Sequence, residues 1–338
     1  MPNPVPVASS PRRLNLSENE GSHHELALPW EALASHLHRY PEVSDLGATL
    51  ASVHGVAAGR VLVTAGADDA IDRLCRVVLG PGRSMVLPSP TFDRIPRYAA
   101  MAGAVVFGVP WVDGAFPIEG YLEHVGARPA IVGVISPNNP TGTVATADDL
   151  ERLSHAFRDS VILLDHAYVE YADADLTPMA CAFPNVVVTR TMSKAWGLAG
   201  LRVGYALGPA QVLAAMREAG PVYPVSGLSA AVARVVRSTC GESMRRHVER
   251  VRRERGELAL VMRGLGFRVP ESQANCVCAC HPAAEAIHAA LAARGVMVKR
   301  LDPASPQGPS LRIGCPANEE DFAFLMGVMR EVMAAVAP

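Results

Sequence analysis

From residue 60 onward the chain alternates short, wholly apolar runs with amphipathic stretches. Val61-Leu62-Val63-Thr64, Met85-Val86-Leu87, Ala104 to Val109, Ala130 to Ile135, Val161-Ile162-Leu163-Leu164, Val186 to Thr189 and Leu201 to Leu207 each predict a strand. Helical patterns run from the turn at Ala67-Asp68 to about Leu79, from Arg94 to Ala102 and from Thr146 to Phe157. Gly80-Pro81-Gly82 closes the first of these, and Pro88-Ser89-Pro90-Thr91-Phe92 turns into the second. A strand that is apolar at every position is buried on both faces. Strands of that kind, separated by helices, form a mostly parallel sheet covered on each side.

The flanks have a different texture. Residues 1–13 are rich in Pro and Ser and read as a loose arm. Trp30 to Leu37 predicts a short helix stopped by Tyr40-Pro41, and Leu46 to Val53 a second one closed by Gly55. From Ser229 to about Leu265 a single long helix is expected, rich in arginine (Arg245, Arg246, Arg250, Arg252, Arg253, Arg255), with a solvated charged face. Beyond it come strands near Asn275–Cys280, Val296–Lys299 and Leu311–Gly314, and helices over Ala283–Arg294 and Glu319–Val336. The expected division is an N-terminal arm and part of a small domain over 1–37, a large domain over 38–225, and a small α+β domain over 226–338.

Composition narrows the function. At 338 residues the chain is long enough for a large domain and a smaller one, each with its own core. Apolar residues make up 49% and aromatic ones only 5%, so the cores are built mostly of Ala, Val and Leu. A formal net charge of −2 argues against general affinity for nucleic acid or anionic membrane. No apolar run reaches bilayer length. Seven cysteines, an odd number, and an opening without a charged-then-apolar pattern predict reduced thiols in the cytoplasm. Cys276, Cys278 and Cys280 alternate along one strand, followed by His281. That is no usual zinc spacing, so buried strand thiols are expected and no metal.

Candidate chemistry gathers where the strands end, the place where open α/β sheets bind ligands. After Val186–Thr189 come Thr191-Met192-Ser193-Lys194, then Arg202 between glycines. A lysine on a loop after a buried strand can be desolvated, which lowers its pKa and frees an amine for Schiff-base chemistry. Hydroxyls at Thr191 and Ser193 with the guanidinium of Arg202 suit a phosphate. Pyridoxal 5′-phosphate (PLP) requires that pairing of lysine and phosphate cradle. After the first strand, Gly66-Ala67-Asp68 opens a helix whose free N–H groups could hold a phosphate or simply be capped. Phe92 could lie on a cofactor ring or pack in the core. Asn139, within Ser136-Pro137-Asn138-Asn139-Pro140-Thr141-Gly142, could donate its amide to a cofactor oxygen. Asp165 ends an apolar strand, where a carboxylate is costly unless paired; a protonated pyridine nitrogen would pair it and keep the ring an electron sink. Tyr168, three residues on, could bond the ring hydroxyl. Arg312, between Leu311 and Ile313, asks for an anion, either a substrate carboxylate or a structural partner.

Taken together these residues resemble the class I/II aminotransferases, the fold type I PLP enzymes, and among them the histidinol-phosphate aminotransferases. The carrying strings are Arg39-Tyr40-Pro41, the Pro-Asn-Asn-Pro-Thr-Gly run at 137–142, Asp165-x-x-Tyr168, the stretch 191–204, and Leu311-Arg312-Ile313-Gly314. The likeness covers the chain from about Leu14 to the end. It implies a large domain with a mostly parallel, seven-stranded-type sheet between helices, plus a smaller α+β domain. It implies that Lys194 binds PLP and moves the proton, and that Asp165 pairs with the pyridine nitrogen. Asn139 and Tyr168 would bond the ring hydroxyl, with Phe92 stacking on the ring. Gly66, Ala67, Asp68, Thr191, Ser193 and Arg202 would hold the phosphate. Tyr40 would reach the phosphate bound in a partner subunit, implying a homodimer. Arg312, with Asn19 nearby, would clamp the substrate carboxylate.

Two positions depart from the family pattern. The family usually carries Asn-Glu-Asn-Pro-Tyr-Gly in the N-terminal loop; here Ser17-Glu18-Asn19-Glu20-Gly21-Ser22 has no tyrosine. Glutamate commonly follows the strand-end aspartate; here it is His166. Lys299 and Arg300 could serve a phosphate or second carboxylate on the substrate, or be simply solvated charges. The expected reaction is transfer of an amino group from an amino acid or amino-alcohol phosphate, such as histidinol phosphate, to a 2-oxo acid. The same motifs would serve a PLP-dependent decarboxylase of an amino-acid phosphate, or a PLP-binding module without turnover.

Overall fold

The computed structural model describes residues 13–20 and 28–336. The expected N-terminal arm, apart from Arg13, and Gly21 and Ser22 of the loop motif lie outside the described residues. β1 is Leu14–Asn15. Helices α1 (Trp30–Ala34) and α2 (Ser44–His54) follow, and Gly55 closes α2 with a left-handed φ of 63°.

The central sheet contains β2 (Val61–Thr64), β3 (Ser84–Ser89), β4 (Val105–Pro110), β5 (Ile131–Ile135), β6 (Val161–Asp165), β7 (Val186–Thr191) and β8 (Gly204–Leu207). Its spatial order is β2-β8-β7-β6-β5-β3-β4. Every pairing is parallel except those of β8, which runs antiparallel to β2 and β7. Alternate residues face opposite layers, as the strand period demands. Val132, Ile162, Leu164, Val186 and Val188 join one buried cluster, while Ile131, Leu163 and Val187 join the cluster on the other face. The helices covering it are α3 (Ala67–Val78), α4 (Arg94–Met101), α5 (Ile118–Leu122), α6 (Ala147–Ala156), α7 (Thr177–Ala180) and α8 (Ala210–Glu218). Thr146 caps α6 by a reciprocal bond with Asp149.

Three expectations are corrected. The long helix from Ser229 is two helices, α9 (Gly227–Thr239) and α10 (Gly241–Gly264), broken at Cys240. Gly241 gives helix little local support there, so packing decides the direction of each piece. The strand expected from Leu201 begins only at Gly204: Ala199–Leu201 is a 3-10 turn, and Arg202 is left-handed at φ 53°. The strand expected over 296–299 is two: β10 (Val296–Met297), which pairs in parallel with β1, and β11 (Lys299–Arg300). The short helix α5, the four-residue α7 and helix α8 had no counterpart in the pattern reading.

β9 (Cys276–Cys280), β12 (Ser310–Gly314) and β11 form a three-stranded antiparallel sheet in the order β11-β12-β9. Helices α11 (Ala284–Ala293) and α12 (Glu319–Val336) complete a second core that includes Leu14, Leu258 and Met262. The cysteines of β9 are buried strand thiols. We propose that the chain divides at α10 rather than at residue 226, because Ala230, Val232 and Val236 of α9 lie in the core of the large sheet. The arginines of α10 are only partly a solvated face. Arg252 donates to the carbonyls of Tyr171 and Ala172, and Arg255 to those of Tyr171 and Ala274. No described helix is long and apolar enough to cross a membrane.

Gly204 sets how closely β8 approaches the turn after β2. A Cβ on Gly204 would stand 2.4 Å from the Gly66 carbonyl carbon and 2.6 Å from the Ala67 nitrogen. Gly204→Ala is therefore expected to cost about 1–3 kcal/mol of stability, read as a lower urea midpoint. An unchanged midpoint would show that the Gly66 turn moves aside freely.

Candidate active site

Parallel strands that start at one edge of a sheet finish at the other, so their carboxyl ends converge. The ends of β2, β5, β6 and β7 bring together Gly66, Asn139, Asp165, Thr191 and Lys194. Asp165 is the last residue of β6 and is buried. Thr189 Oγ1 donates to its Oδ1 at 3.0 Å. No described cation pairs with it, and burial raises its pKa to about 6 against the pull of that hydrogen bond.

Tyr168 lies on the turn after β6, with its hydroxyl at the centre of a small network. Asn19 Nδ2 donates to it at 3.2 Å and Asn139 Nδ2 at 3.4 Å. Asn139 Oδ1 in turn accepts from Arg312 Nη1 at 3.1 Å. Arg312 Nη2 donates to the Ser17 carbonyl at 2.6 Å. Lys194 is half-buried, donates from Nζ to the Asn19 carbonyl at 2.6 Å, and stands 5.5 Å from the centre of the Tyr168 ring. Asn19, left-handed at φ 53°, also donates to Asn275 Oδ1 at 2.8 Å. Five of the candidate residues thus form one connected cluster: Asn19, Asn139, Tyr168, Lys194 and Arg312.

A second group forms the cradle. Thr191 Oγ1 donates to Ser193 Oγ at 2.9 Å, and the Ser193 N–H donates to Thr191 Oγ1 at 3.1 Å. Arg202 Nη1 reaches Ser193 Oγ at 3.3 Å, and Nη2 lies 3.7 Å from Asp68 Oδ2. Gly66 precedes α3 with φ 88°, and a Cβ there would meet Arg202 Nη2 at 2.8 Å. The glycine lets the guanidinium lie over the start of α3, where the first backbone N–H groups of the helix, from Ala67 and Asp68, point out of it. Burial raises the pKa of Asp68, with Arg202 opposing.

These residues fit PLP. At one end are two hydroxyls, a guanidinium and a helix N-terminus for a phosphate. At the other is a buried carboxylate lacking a cation, as a protonated pyridine would supply. Between them are a phenol and an amide for a ring hydroxyl, and a primary amine. Arg312 Nε and Asn19 Oδ1 are buried with no partner among the described residues, as expected beside a site for a polar group.

The remaining candidates have partners outside these two groups. Phe92 is half-buried on the turn after β3 and packs on the cluster of Ile71 and Ile95. Tyr40 does not join the cradle of its own chain: it is 79% exposed, and its ring stacks on Tyr223 at 4.7 Å. His166 is wholly buried, its Nδ1 3.1 Å from Thr177 Oγ1. Burial and then Arg190 lower its pKa to about 3, so it is neutral at physiological pH. Arg300 is paired with Glu285 at 2.6 Å. Lys299 is exposed and sits directly opposite Arg312 across the β11–β12 ladder, on the same face. Pattern reading missed Thr189, Ser17 and Asn275. Thr189 had a signal, since it lies two residues before Thr191 and shares its face; the other two act through tertiary placement alone.

A family model for aminotransferases of class I and II matches residues 13–322. An aromatic amino acid aminotransferase of Rhodococcus opacus is 34% identical over 331 residues, covering 95% of this chain and 91% of that relative. A histidinol-phosphate aminotransferase 2 of Thiobacillus denitrificans is 34% identical over 290 residues, covering 82% of this chain and 78% of its own. Among solved structures, histidinol-phosphate aminotransferase of Sinorhizobium meliloti in complex with PLP shares the fold, with a TM-score of 0.87 over 96% of this chain and 91% of that one, at 23% identity.

The raised pKa of Asp165 makes a stability prediction. The unfolded carboxyl titrates near 3.8 and the folded one near 6. Between those values the folded protein binds more protons than the unfolded one, so this group costs stability as pH rises through the window, up to about 3 kcal/mol. In cofactor-free protein, Asp165→Asn is expected to unfold at higher temperature than the parent at pH 7. Near pH 4 the two should coincide. Equal melting temperatures at both pH values would contradict the uncompensated carboxylate.

Proposed function

This chain belongs to the class I and II aminotransferase family, and from that premise we propose that its amino donor is an amino acid or amino-alcohol phosphate with a flat ring and an acidic group, histidinol phosphate being the type. A 2-oxo acid accepts the amino group. Enzymes of this family use PLP to transfer amino groups between amino and oxo acids. Bound at this site, the cofactor supplies a carbonyl carbon for the amino group and a ring that takes up electrons released at the donor carbon. Thr191, Ser193, Arg202 and the start of α3 hold its phosphate. Asp165 keeps a proton on the ring nitrogen, and Asn139 and Tyr168 orient the ring hydroxyl. Lys194 Nζ would hold the cofactor and would be the base that moves the proton at the donor carbon. Arg312 binds the donor's acidic group.

The observation that carries an acidic group on the donor is Arg312, buried and anchored on Asn139 and Ser17 with its Nε unpartnered. A guanidinium so placed binds a carboxylate or phosphate in a fixed orientation. Lys299, on the same face, supports an acidic group with more than one charge. An aromatic amino acid is the second reading, favoured by the Rhodococcus opacus relative.

Two copies are proposed to pair. Tyr40, Tyr223, Val222, Leu37 and Trp30 are all large, apolar and at least half exposed, and Tyr40 and Tyr223 stack on each other. Tyr40 would reach the phosphate in the partner. Seven free, buried cysteines support a reducing, cytoplasmic setting.

The experiment is an absorbance spectrum of the PLP-loaded protein on addition of histidinol phosphate or phenylalanine, with no oxo acid present. Conversion to the pyridoxamine form by histidinol phosphate supports the reading; response to phenylalanine alone shifts the donor to the aromatic class. Release of CO2 from an O-phosphorylated amino acid, added without an oxo acid, would replace transamination by decarboxylation. Lys194→Ala is expected to lose turnover by about a thousandfold or more. Arg312→Lys is expected to raise the donor KM by roughly 10- to 100-fold.

A further inference from the structure

The strand period separates β7 into two faces. Thr189 and Thr191 point toward Asp165 and the cradle, so Arg190 between them points away, behind the site. It is 6% exposed. Its Nη2 donates to Glu170 Oε1 at 2.8 Å, and its Nη1 to Asp175 Oδ2 at 3.0 Å and Thr177 Oγ1 at 3.1 Å. The same Glu170 oxygen accepts from Trp196 Nε1 at 3.1 Å. Arg237 covers the Trp196 ring at 4.7 Å.

The placement of these three residues in the chain matters. Glu170 lies two residues after Tyr168. Arg190 lies one residue before Thr191. Trp196 lies two residues after Lys194. One carboxylate oxygen therefore ties together the three segments that carry the phenol, the cradle and the amine. The segments of Tyr168–Glu170 and Lys194–Trp196 leave the sheet as turns, where no ladder holds them, whereas Arg190 is fixed within β7 opposite Tyr205 of β8. A buried carboxylate that accepts two charge-matched or directed bonds resists displacement in a way that packing alone does not. None of the three side chains bonds directly to Asp165, Lys194, Asn139 or Arg312 in the structure.

We propose that Glu170 is a positioning residue for this reaction: by holding Arg190 and Trp196 at one oxygen, it sets where Lys194 stands relative to Tyr168 and Asp165. The inference rests on the reading that Lys194 carries the cofactor. Arg190, Glu170 and Trp196 act as a unit, so loss of any one bond releases the Lys194 loop.

The test uses the PLP-loaded protein with Glu170→Gln, Trp196→Phe and the double variant. Glu170→Gln keeps the shape and removes the charge; Trp196→Phe keeps a ring under Arg237 and removes the donor. Each single variant is expected to lower kcat by about tenfold or more while donor KM moves by less than about threefold, because misplacement acts on the chemical step. The pH midpoint of the Lys194-dependent cofactor absorbance is expected to shift in both. The double variant is expected to be no worse than the worse single one, since both break the same link. Activity is normalised to folded protein, taken from the melting curve of each variant without cofactor. Unchanged kcat per folded molecule with an unmoved pH midpoint would overturn the proposal, as would losses that add in the double variant. If the parent itself shows no Lys194-dependent absorbance with PLP, the underlying reading of Lys194 fails instead.

Discussion

The site depends on a carboxylate placed where a carboxylate is unfavourable. β6 is apolar from Val161 to Leu164, and its fifth residue, Asp165, is buried with the Thr189 hydroxyl and the Ala167 backbone N–H as donors and no described cation. Such a group lowers the stability of the empty protein and creates a strong preference for a cationic ring beside it. The surrounding geometry follows from this placement. The parallel neighbours β5 and β7 flank β6, β5 ending opposite Asp165 and β7 two residues beyond it, so the turn with Asn139 and the strand end at Thr191 lie on either side of β6. Tyr168, on the turn after β6, meets Asn139 and Asn19 through its hydroxyl. Lys194 enters from the loop after β7 and Arg312 from the separate small sheet. A site assembled from strand ends inherits its precision from the sheet, while its loops need ties of their own.

Much of this was legible because periodicity and punctuation are local. Seven apolar runs marked the seven strands, and Gly55, Gly80-Pro81-Gly82 and Thr146 marked helix ends at or near their observed places. The strand-end rule then gathered Gly66, Asn139, Asp165 and Lys194 without any coordinates. What stayed hidden was tertiary. Nothing near Ser17 or Asn275 announces that a carbonyl of one takes Arg312 and the side chain of the other takes Asn19. The break at Cys240 was invisible because residues on both sides keep helical spacing, and only the cores that they join differ. Arg202 looked like part of a strand because Leu201 and Val203 flank it, yet its left-handed backbone places it in the preceding turn.

His166 shows how a period of two can be used better. It departs from the family pattern beside the most constrained residue of the site. Its side chain, alternating with that of Asp165, goes to the rear of the sheet, where Thr177 and Asp175 lie within reach. Arg190 goes to the same rear layer by the same rule. The departure therefore changes the support of the site rather than its inner wall, and a neutral imidazole there leaves Arg190 to be balanced by Glu170 and Asp175.

The pairing of β1 with β10 has a consequence in time. Leu14 and Asn15 bond with Val296 and Met297, so the segment that carries Ser17 and Asn19 is held by strands made some 280 residues later. The large sheet, by contrast, is complete once β8 has been synthesised; Asp165 ends one of its strands, and Lys194 lies on the loop between β7 and β8. During synthesis on the ribosome, the group of Gly66, Thr191, Ser193 and Arg202 can form while Arg312 and Asn275 are still to be translated. A nascent chain thus completes the strand ends around Asp165 before the residues that anchor Asn19 exist.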